Sequence, residues 1–248
     1  MRIVILSGTG LDVFHQAVLK PILDNPTIEI VGAYIDGRPR PSLKKRFKKN
    51  LKRGRGGYML VMLAKSIFGK KEPTITASEF FASLGIDYVE TQQPYSKDSI
   101  AGLLSWSPDA MVMLGGFGIV KEPLLSLAPQ GILSYHHGDM RKYRGQPVGF
   151  WELYHNESQM GVTVQRLSAG IDKGTPIVEQ TIPIEKGDDV KSLCERAMSL
   201  STNMMAEALQ LIEDPAFCPS QIQEFGPIFT LPNLRQYMRL KIKLRCKK

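Results

Sequence analysis

The 248-residue sequence has few cysteines and histidines and no long apolar run. Its longest uncharged apolar stretches, 58–64 and 110–120, fall well short of the roughly 20 residues that span a bilayer. The apolar run at the N-terminus covers only four residues, so no signal peptide is predicted. The three cysteines are widely spaced and odd in number, which predicts neither a disulfide framework nor a metal site. These shortages exclude membrane-spanning and disulfide-rich classes and predict a cytoplasmic protein.

The composition is that of a globular protein with a substantial core. Apolar residues make up 43% of the chain and charged residues 23%, close to the averages for globular domains. Wholesale disorder, collagen-like repeats and coiled coils are therefore excluded.

The net charge of +8 is concentrated in two segments. Residues 38–55 hold ten Lys or Arg and no acid, and residues 235–248 hold seven and no acid. The rest of the chain holds 15 basic and 24 acidic residues. Two local basic patches suit phosphates, nucleic acid or an anionic membrane face, although a solvated loop and a solvated tail would have the same composition.

Apolar segments that alternate with glycine turns predict a mostly parallel α/β sheet flanked by helices. The predicted strands are 2–7, 28–35, 87–89, 110–114 and 131–136. The predicted helices are 11–20, 78–84, 97–106 and 123–127. Gly8-Thr9-Gly10, after the first strand, lacks the third glycine of the dinucleotide fingerprint.

The sheet pattern is interrupted by residues 38–57, which lack periodicity and are predicted to be an exposed insertion. Residues 58–68 follow as an apolar, helix-compatible stretch with basic flanks. Two interpretations remain open for this helix: it packs on the domain, or it lies on an anionic membrane surface.

Later in the chain, strands at 162–167 and 176–182 follow each other without a helix, which predicts an antiparallel continuation of the sheet. A long helix is predicted over 188–213, and the remainder is predicted to be irregular and then basic. We therefore divide the chain into a main domain, residues 1–190 with a basic insertion at 38–72, and a C-terminal helix and basic tail, residues 191–248.

The residues best suited to chemistry lie after the strand that ends at His136. Ser134 and His136 are two residues apart, so on a strand they point to the same face. The carboxyl edge of a parallel sheet is where ligands bind in such folds. A candidate site is therefore expected here.

Segment 131–147 resembles the signature of the folate-dependent formyltransferases, the family of methionyl-tRNA, glycinamide ribonucleotide and sugar-nucleotide N-formyltransferases. His136, Tyr143, Arg144 and Gly145 fall on that pattern, in which a histidine is followed by an aromatic residue, arginine and glycine.

Three further stretches resemble motifs of the same family, in the same order. Residues 108–118 resemble its P-D-x-x-V strand and the turn that cradles the pterin, 160–164 its G-V-T strand, and 170–177 its G-x-D-x-G-x-x-I loop. The resemblance runs from residue 1 to about 190 and implies a Rossmann-like formyltransferase fold with residues 1–190 as the catalytic domain.

The resemblance implies transfer of a formyl group from 10-formyltetrahydrofolate, as cosubstrate, to a primary amine. His136 would take the amine proton or stabilise the oxyanion as imidazolium, and Asp172 would orient His136 and balance its charge. Ser134 stands where the family usually has an asparagine that donates a hydrogen bond to the oxyanion. It is the third residue expected to take part in catalysis.

Folate is expected to bind along a glycine-rich turn after the 110–114 strand and beside the loop that precedes Asp172. The residues expected to contact it are Gly116, Phe117, Gly118, Ile119 and Gly170.

The expected acceptor is an amino-sugar nucleotide or another small anionic amine. Methionyl-tRNA is the alternative acceptor, but fewer than 60 residues follow position 190, where those enzymes carry a sizeable further domain. Hydrolysis of formyl-tetrahydrofolate and a non-catalytic folate-binding role also remain open. An anionic membrane surface is a further expected partner, through 38–71 and 235–248, with nucleic acid less favoured.

Overall fold

A mixed seven-stranded sheet forms the centre of the computed structural model, which describes residues 1–39, 41–68 and 73–246. The strands, in chain order, are β1 (Arg2–Gly8), β2 (Gly10–Asp12), β3 (Glu29–Asp36), β4 (Thr74–Thr76), β5 (Tyr88–Thr91), β6 (Ala110–Met113), β7 (Ile132–His136), β8 (Arg144–Gly145), β9 (Gln159–Arg166), β10 (Thr175–Pro183) and β11 (Ile228–Phe229).

Helices flank this sheet and extend beyond it. They are α1 (Val13–Leu23), α2 (Leu43–Leu51), α3 (Gly56–Phe68), α4 (Ala77–Ser83), α5 (Lys97–Ser105), α6 (Phe150–His155), α7 (Val190–Leu200), α8 (Met204–Glu213) and α9 (Leu234–Cys246), with a 3-10 turn at Leu124–Ser126.

The strand order of the sheet is β10-β9-β7-β6-β1-β3-β5. Neighbours from β7 to β5 pair in parallel, whereas β9 is antiparallel to both β7 and β10. The predicted α/β class, with a mostly parallel sheet and an antiparallel continuation, is therefore confirmed. Because β1, β6 and β7 are central and run the same way, their carboxyl ends meet at one edge.

Burial explains why the central strands form. Ile3, Val4, Ile5 and Leu6 of β1 are fully buried, as expected of a strand covered on both faces. Their side chains divide between two apolar clusters, one on each face of the sheet. Each cluster is closed by helices that lie on that face.

One helix prediction is wrong, and the structure adds two helices. The single helix predicted over 188–213 is two helices, α7 and α8, since the chain turns at 201–203. The described residues of the predicted insertion, 38–57, are mostly exposed, as expected, and they include the helix α2, which begins after the Ser42 cap. The basic end forms α9, which packs on the protein through Leu240, 2% exposed.

The apolar helix predicted at 58–68 is present as α3, and its first turn packs on the domain. Tyr58 is buried and its ring lies 5.4 Å from that of Tyr237 in α9. Among the described residues, no helix is long and apolar enough to cross a membrane. Arg40, residues 69–72 of the predicted insertion, and residues 247–248 of the basic tail lie outside the described residues.

Helices α7 and α8 belong to the same apolar cluster as the sheet. Leu193, Ala197 and Leu209 are fully buried in it. The domain boundary at residue 190 stays a prediction.

The packing of α9 can be tested with two residues on opposite faces of that helix. Leu240→Ala should lower the free energy of unfolding by about 2–5 kcal/mol, since it opens a cavity in the core. Ile242→Ala is the matched control; this side chain is 60% exposed, so its loss should cost less than about 0.5 kcal/mol. Urea unfolding followed by circular dichroism measures both, and equal effects would contradict the packing described.

Candidate active site

The candidate site lies at the shared carboxyl edge of β1, β6 and β7. There β1 and the turn after β6 approach each other closely: the Gly8 amide donates to the Gly115 carbonyl at 2.9 Å. A Cβ atom on Gly8 would lie 3.0 Å from Cα of Gly116. Gly8 is thus required for this close backbone approach.

His136 is the last residue of β7, and both of its ring nitrogens face oxygen acceptors. Nδ1 lies 3.4 Å from Oδ1 of Asp172, and Nε2 lies 2.8 Å from the carbonyl oxygen of Tyr143. The ring is 7% exposed. The ring is therefore held between acceptors that belong to two different loops.

Asp172 reaches His136 from the loop between β9 and β10. Its backbone has φ of +45°, a left-handed conformation that asparagine and aspartate tolerate better than most residues. Its second oxygen, Oδ2, accepts the backbone N–H of Gly145 at 2.7 Å. The carboxylate is thereby fixed between His136 and the chain that follows it.

Three successive residues hold the site together, and two of them, Arg144 and Gly145, bond to the loop after β9. Tyr143 contacts the ring of His136, Arg144 donates from Nη1 to the Ile171 carbonyl at 3.2 Å, and Gly145 donates to Asp172. Arg144 is buried, and its Nε also donates to the Gly226 carbonyl at 2.6 Å. Sequence reasoning used these residues only as motif positions, and their positioning contacts became apparent only in the structure.

Ser134 lies on the same strand as His136 and is buried. Its hydroxyl is 3.5 Å from the carbonyl oxygen of Tyr135, a weak contact at the limit of hydrogen bonding. Among the described residues the hydroxyl has no stronger hydrogen-bond partner, and its expected role stays a prediction.

The glycine-rich turn after β6 has the backbone shape expected of a binding loop. Gly116 and Gly118 have φ of +84° and +80°, and the Ile119 side chain between solvent and turn is 64% exposed. Phe117 points the other way, since its side chain is 1% exposed and packs near Tyr34 in the core. Only its backbone is available at the surface, where the carbonyl accepts from Arg38 at 3.3 Å.

Gly170, the remaining residue expected to contact folate, lies two residues before Asp172 with φ of +118°. It shapes the Asp172 loop rather than the turn after β6. The two parts of the expected folate site are thus on separate loops, and the assignment of these residues stays a prediction.

The space beside His136 is small. The cavity lined by His136, Tyr143, Gln146 and Trp151 has a volume of about 10 Å³. A larger cavity of about 280 Å³ lies on the other side of Tyr143, lined by charged side chains that include Arg141 and Glu152. Burial raises the pKa of Glu152 to about 7. By contrast, the cavity that touches His136 is no larger than about one water molecule.

His137 follows His136 but points into an aromatic cluster. Its ring stacks on Tyr135 at 5.6 Å and meets the edge of Phe14 at 5.3 Å. Its Nε2 is buried and has no hydrogen-bond partner within the part of the chain that the structure describes. Burial, and the nearby His136 and His15, lower the pKa of His137 to about 4. His137 is therefore neutral in the folded protein near pH 7.

The buried environment of His137 predicts that the variant His137→Phe is more stable than wild type at acidic pH. The unfolded chain takes up a proton at His137 below about pH 6.5 and the folded chain only near 4, so this residue costs stability as the pH falls between those values. Phenylalanine removes that cost and keeps the ring contacts. Relative to wild type, the free energy of unfolding of the variant should rise by about 2 kcal/mol when the pH is lowered from 7.5 to 5. Urea unfolding measures this difference. A difference that does not change with pH would contradict a neutral, buried His137.

The chain is similar to known proteins over the stretch that carries the candidate site. The sequence profile of the formyl transferase family matches residues 59–209. The methionyl-tRNA formyltransferase of Anaeromyxobacter sp. (strain K) is 27% identical over 135 residues, which are 54% of this chain and 43% of that protein. The chain spans less than half the length of the curated relatives of this kind that it matches first.

Solved structures share the fold. The phosphoribosylglycinamide formyltransferase of Bacillus halodurans superposes with a TM-score of 0.61 at 17% identity, covering 87% of this chain and 97% of that one. An N-formyltransferase of Helicobacter canadensis, solved with folinic acid and dTDP-3-aminofucose, gives a TM-score of 0.60 at 17% identity, covering 92% and 71%.

The family profile covers more than half of the chain and includes both His136 and Asp172. The protein belongs to the formyl transferase family.

Proposed function

We propose that this protein is an N-formyltransferase that moves the formyl group of 10-formyltetrahydrofolate to the primary amine of a small anionic acceptor. The observation that carries the proposal is the pairing of His136 with Asp172 at the carboxyl edge of the sheet, within the stretch that matches the family. Relatives that carry out formyl transfer, and structural neighbours solved with formylated folates, support it.

The cosubstrate would supply an activated formyl carbon. Its pterin needs a flat site with backbone hydrogen-bond partners, which the open turn of Gly116 and Gly118 and the exposed Ile119 can provide. Phe117 would hold that turn in place from the core side, and Gly170 would shape the facing loop. These residues fit the group.

His136 would act on the amine and on the oxygen that gains negative charge. His136 would accept the proton that the amine gives up as it bonds to the formyl carbon, and as the resulting imidazolium it would stabilise the oxygen that gains negative charge. It would return that proton to the folate nitrogen when the bond from that nitrogen to the formyl carbon breaks. Asp172 would hold the ring in orientation through Nδ1 and stabilise its positive charge. The nitrogen available for this work is Nε2, so the Tyr143 carbonyl must release it when substrates bind.

Ser134 would supply a second donor to the same oxygen. It stands on the His136 face of β7, and its hydroxyl has only a long contact to Tyr135. The serine side chain is shorter than that of asparagine, so its hydrogen bond to this oxygen is expected to be weaker.

For the acceptor we propose an amino-sugar nucleotide. Two of the structural neighbours are sugar N-formyltransferases whose structures hold a nucleotide or nucleotide sugar. The positive charge of the basic segments would also steer an anionic acceptor of this kind toward the protein. We retain a cytoplasmic location as part of this proposal.

Removal of the His136–Asp172 pair should abolish transfer. His136→Ala should lower kcat about 10²–10⁴-fold, since a proton-transfer group in the transition state contributes that much. Asp172→Asn should lower kcat at least about 10²-fold with KM for the folate little changed. Tetrahydrofolate release is the readout, and the exposed Asp98→Asn is the matched control. Near-normal turnover by either active-site variant, with normal circular dichroism, would refute these roles.

The role of Ser134 has its own test. If the hydroxyl is a weak oxyanion donor, Ser134→Asn should raise kcat, while Ser134→Ala should lower it, since loss of one such donor typically costs 10²–10³-fold. The same assay measures both variants. A drop in kcat with asparagine would mean that the pocket is adapted to serine.

Acceptors can be distinguished by running the assay with a panel: amino-sugar nucleotides, glycinamide ribonucleotide, methionyl-tRNA, and no amine. Of these acceptors, we expect only an amino-sugar nucleotide to support turnover. Turnover without any amine would establish a hydrolase instead. Folate binding without turnover under every condition would establish a non-catalytic relative.

A further inference from the structure

The two basic segments lie about 200 residues apart in sequence, yet the fold brings them together. Helix α3 follows α2 directly and packs on α9. Tyr58 and Tyr237 meet across that junction, and a Cβ atom on Gly57 would lie 3.0 Å from the Leu234 side chain. We call the outer surface of α2, α3 and α9 the basic face.

The segments that form this face contribute cations and no acidic residue, although Asp189, the cap of α7, lines the same cavity as Lys241 and Arg245. No Asp or Glu occurs from residue 37 to 71 or from 225 to 248. The exposed cations of α2 and the turn after it are Lys44, Lys45, Lys48, Lys49, Lys52 and Arg53. Lys241 and Arg245 are exposed on α9.

Aliphatic side chains lie exposed among these cations. On α9, Leu234, Met238 and Ile242 are 43%, 49% and 60% exposed and, spaced four apart, form one stripe along the helix. Lys241 and Arg245 flank that stripe, because each is three residues from a member of it.

The first half of α3 also exposes aliphatic side chains. Leu60, Met62 and Leu63 are 57%, 40% and 42% exposed. Exposed aliphatic side chains therefore occur on two of the three helices, next to a high density of positive charge.

Contacts on the inner side of α9 fix the orientation of the aliphatic stripe. Leu240 on the opposite side of α9 is buried, and Lys243 donates from Nζ to the Tyr154 carbonyl at 2.6 Å. Because α9 is held through that inner side, its aliphatic stripe cannot turn inward without breaking these contacts. The stripe is thus a stable feature of the surface.

We propose that the basic face docks the protein on an anionic lipid bilayer, with the aliphatic stripe entering the headgroup region and the cations contacting acidic headgroups. Helices that lie in the interface plane have this combination of aliphatic and basic side chains. Among the described residues the exposed apolar side chains of this face are aliphatic, which suits entry between lipid headgroups better than the base stacking by which single-stranded nucleic acid is bound. Docking does not depend on formyl transfer.

Sedimentation with lipid vesicles tests the proposal on the full chain. We compare vesicles of phosphatidylcholine with vesicles that also contain about 30 mol % phosphatidylglycerol. The protein should pellet at least about tenfold better with the anionic vesicles, and the difference should shrink as salt rises from about 0.1 to 1 M. Equal pelleting with both lipids would overturn the proposal.

Three double variants separate charge from insertion. Lys241→Glu with Arg245→Glu should reduce pelleting about tenfold or more, whereas the control Lys20→Glu with Lys97→Glu, which changes the net charge equally at exposed sites away from the face, should reduce it much less. The double variant Met238→Gln and Ile242→Gln keeps every charge and should also weaken pelleting.

The same samples distinguish nucleic acid from lipid. Suppose that a transfer RNA binds the protein, that this binding is lost in the Lys241 and Arg245 variant, and that vesicles do not pellet the protein. The face would then be a nucleic-acid surface, and the lipid proposal would be wrong. Unchanged pelleting of the Lys241 and Arg245 variant would equally overturn it. Circular dichroism confirms that each variant is folded.

Discussion

The ring of His136 is held by oxygen atoms from two different loops, and the geometry of the candidate site depends on that double contact. The Tyr143 carbonyl approaches one nitrogen and the Asp172 carboxylate the other. The two loops are also bonded to each other, through Gly145 and Asp172 and through Arg144 and Ile171. A shift of either loop therefore changes the position of the other. The coupling uses the side chain of Arg144 and the backbone of Tyr143 and Gly145, and the φ of +89° at Gly145 favours glycine there.

Little free space lies beside His136. The cavity there has a volume of about 10 Å³ and is lined in part by the segment that carries Tyr143. That segment is anchored through Arg144 to Gly226, near the short strand pair of β8 and β11. The C-terminal part of the chain thus takes part in holding the loop after β7 as well as forming the basic face.

The sequence allowed much of the central sheet to be predicted, because fully buried strands such as Arg2–Gly8 read as continuous apolar runs ending at glycine. It did not reveal α2 or α9, whose lysines and arginines dominate the pattern while a few residues such as Leu240 make the contacts. His136 and Asp172 could be paired only by resemblance to a family. The bond from Arg144 to Gly226 spans 82 positions, and no local pattern indicates it.

The central claim is that the chain binds a formylated folate beside His136 and uses that histidine for transfer. Calorimetric titration with a stable analogue of 10-formyltetrahydrofolate tests it most directly, with wild type and His136→Ala measured side by side. The account predicts saturable binding by both, with similar affinities, because the histidine serves the chemistry and the glycine-rich turn serves the folate. Absence of saturable binding by the folded wild-type protein would contradict it.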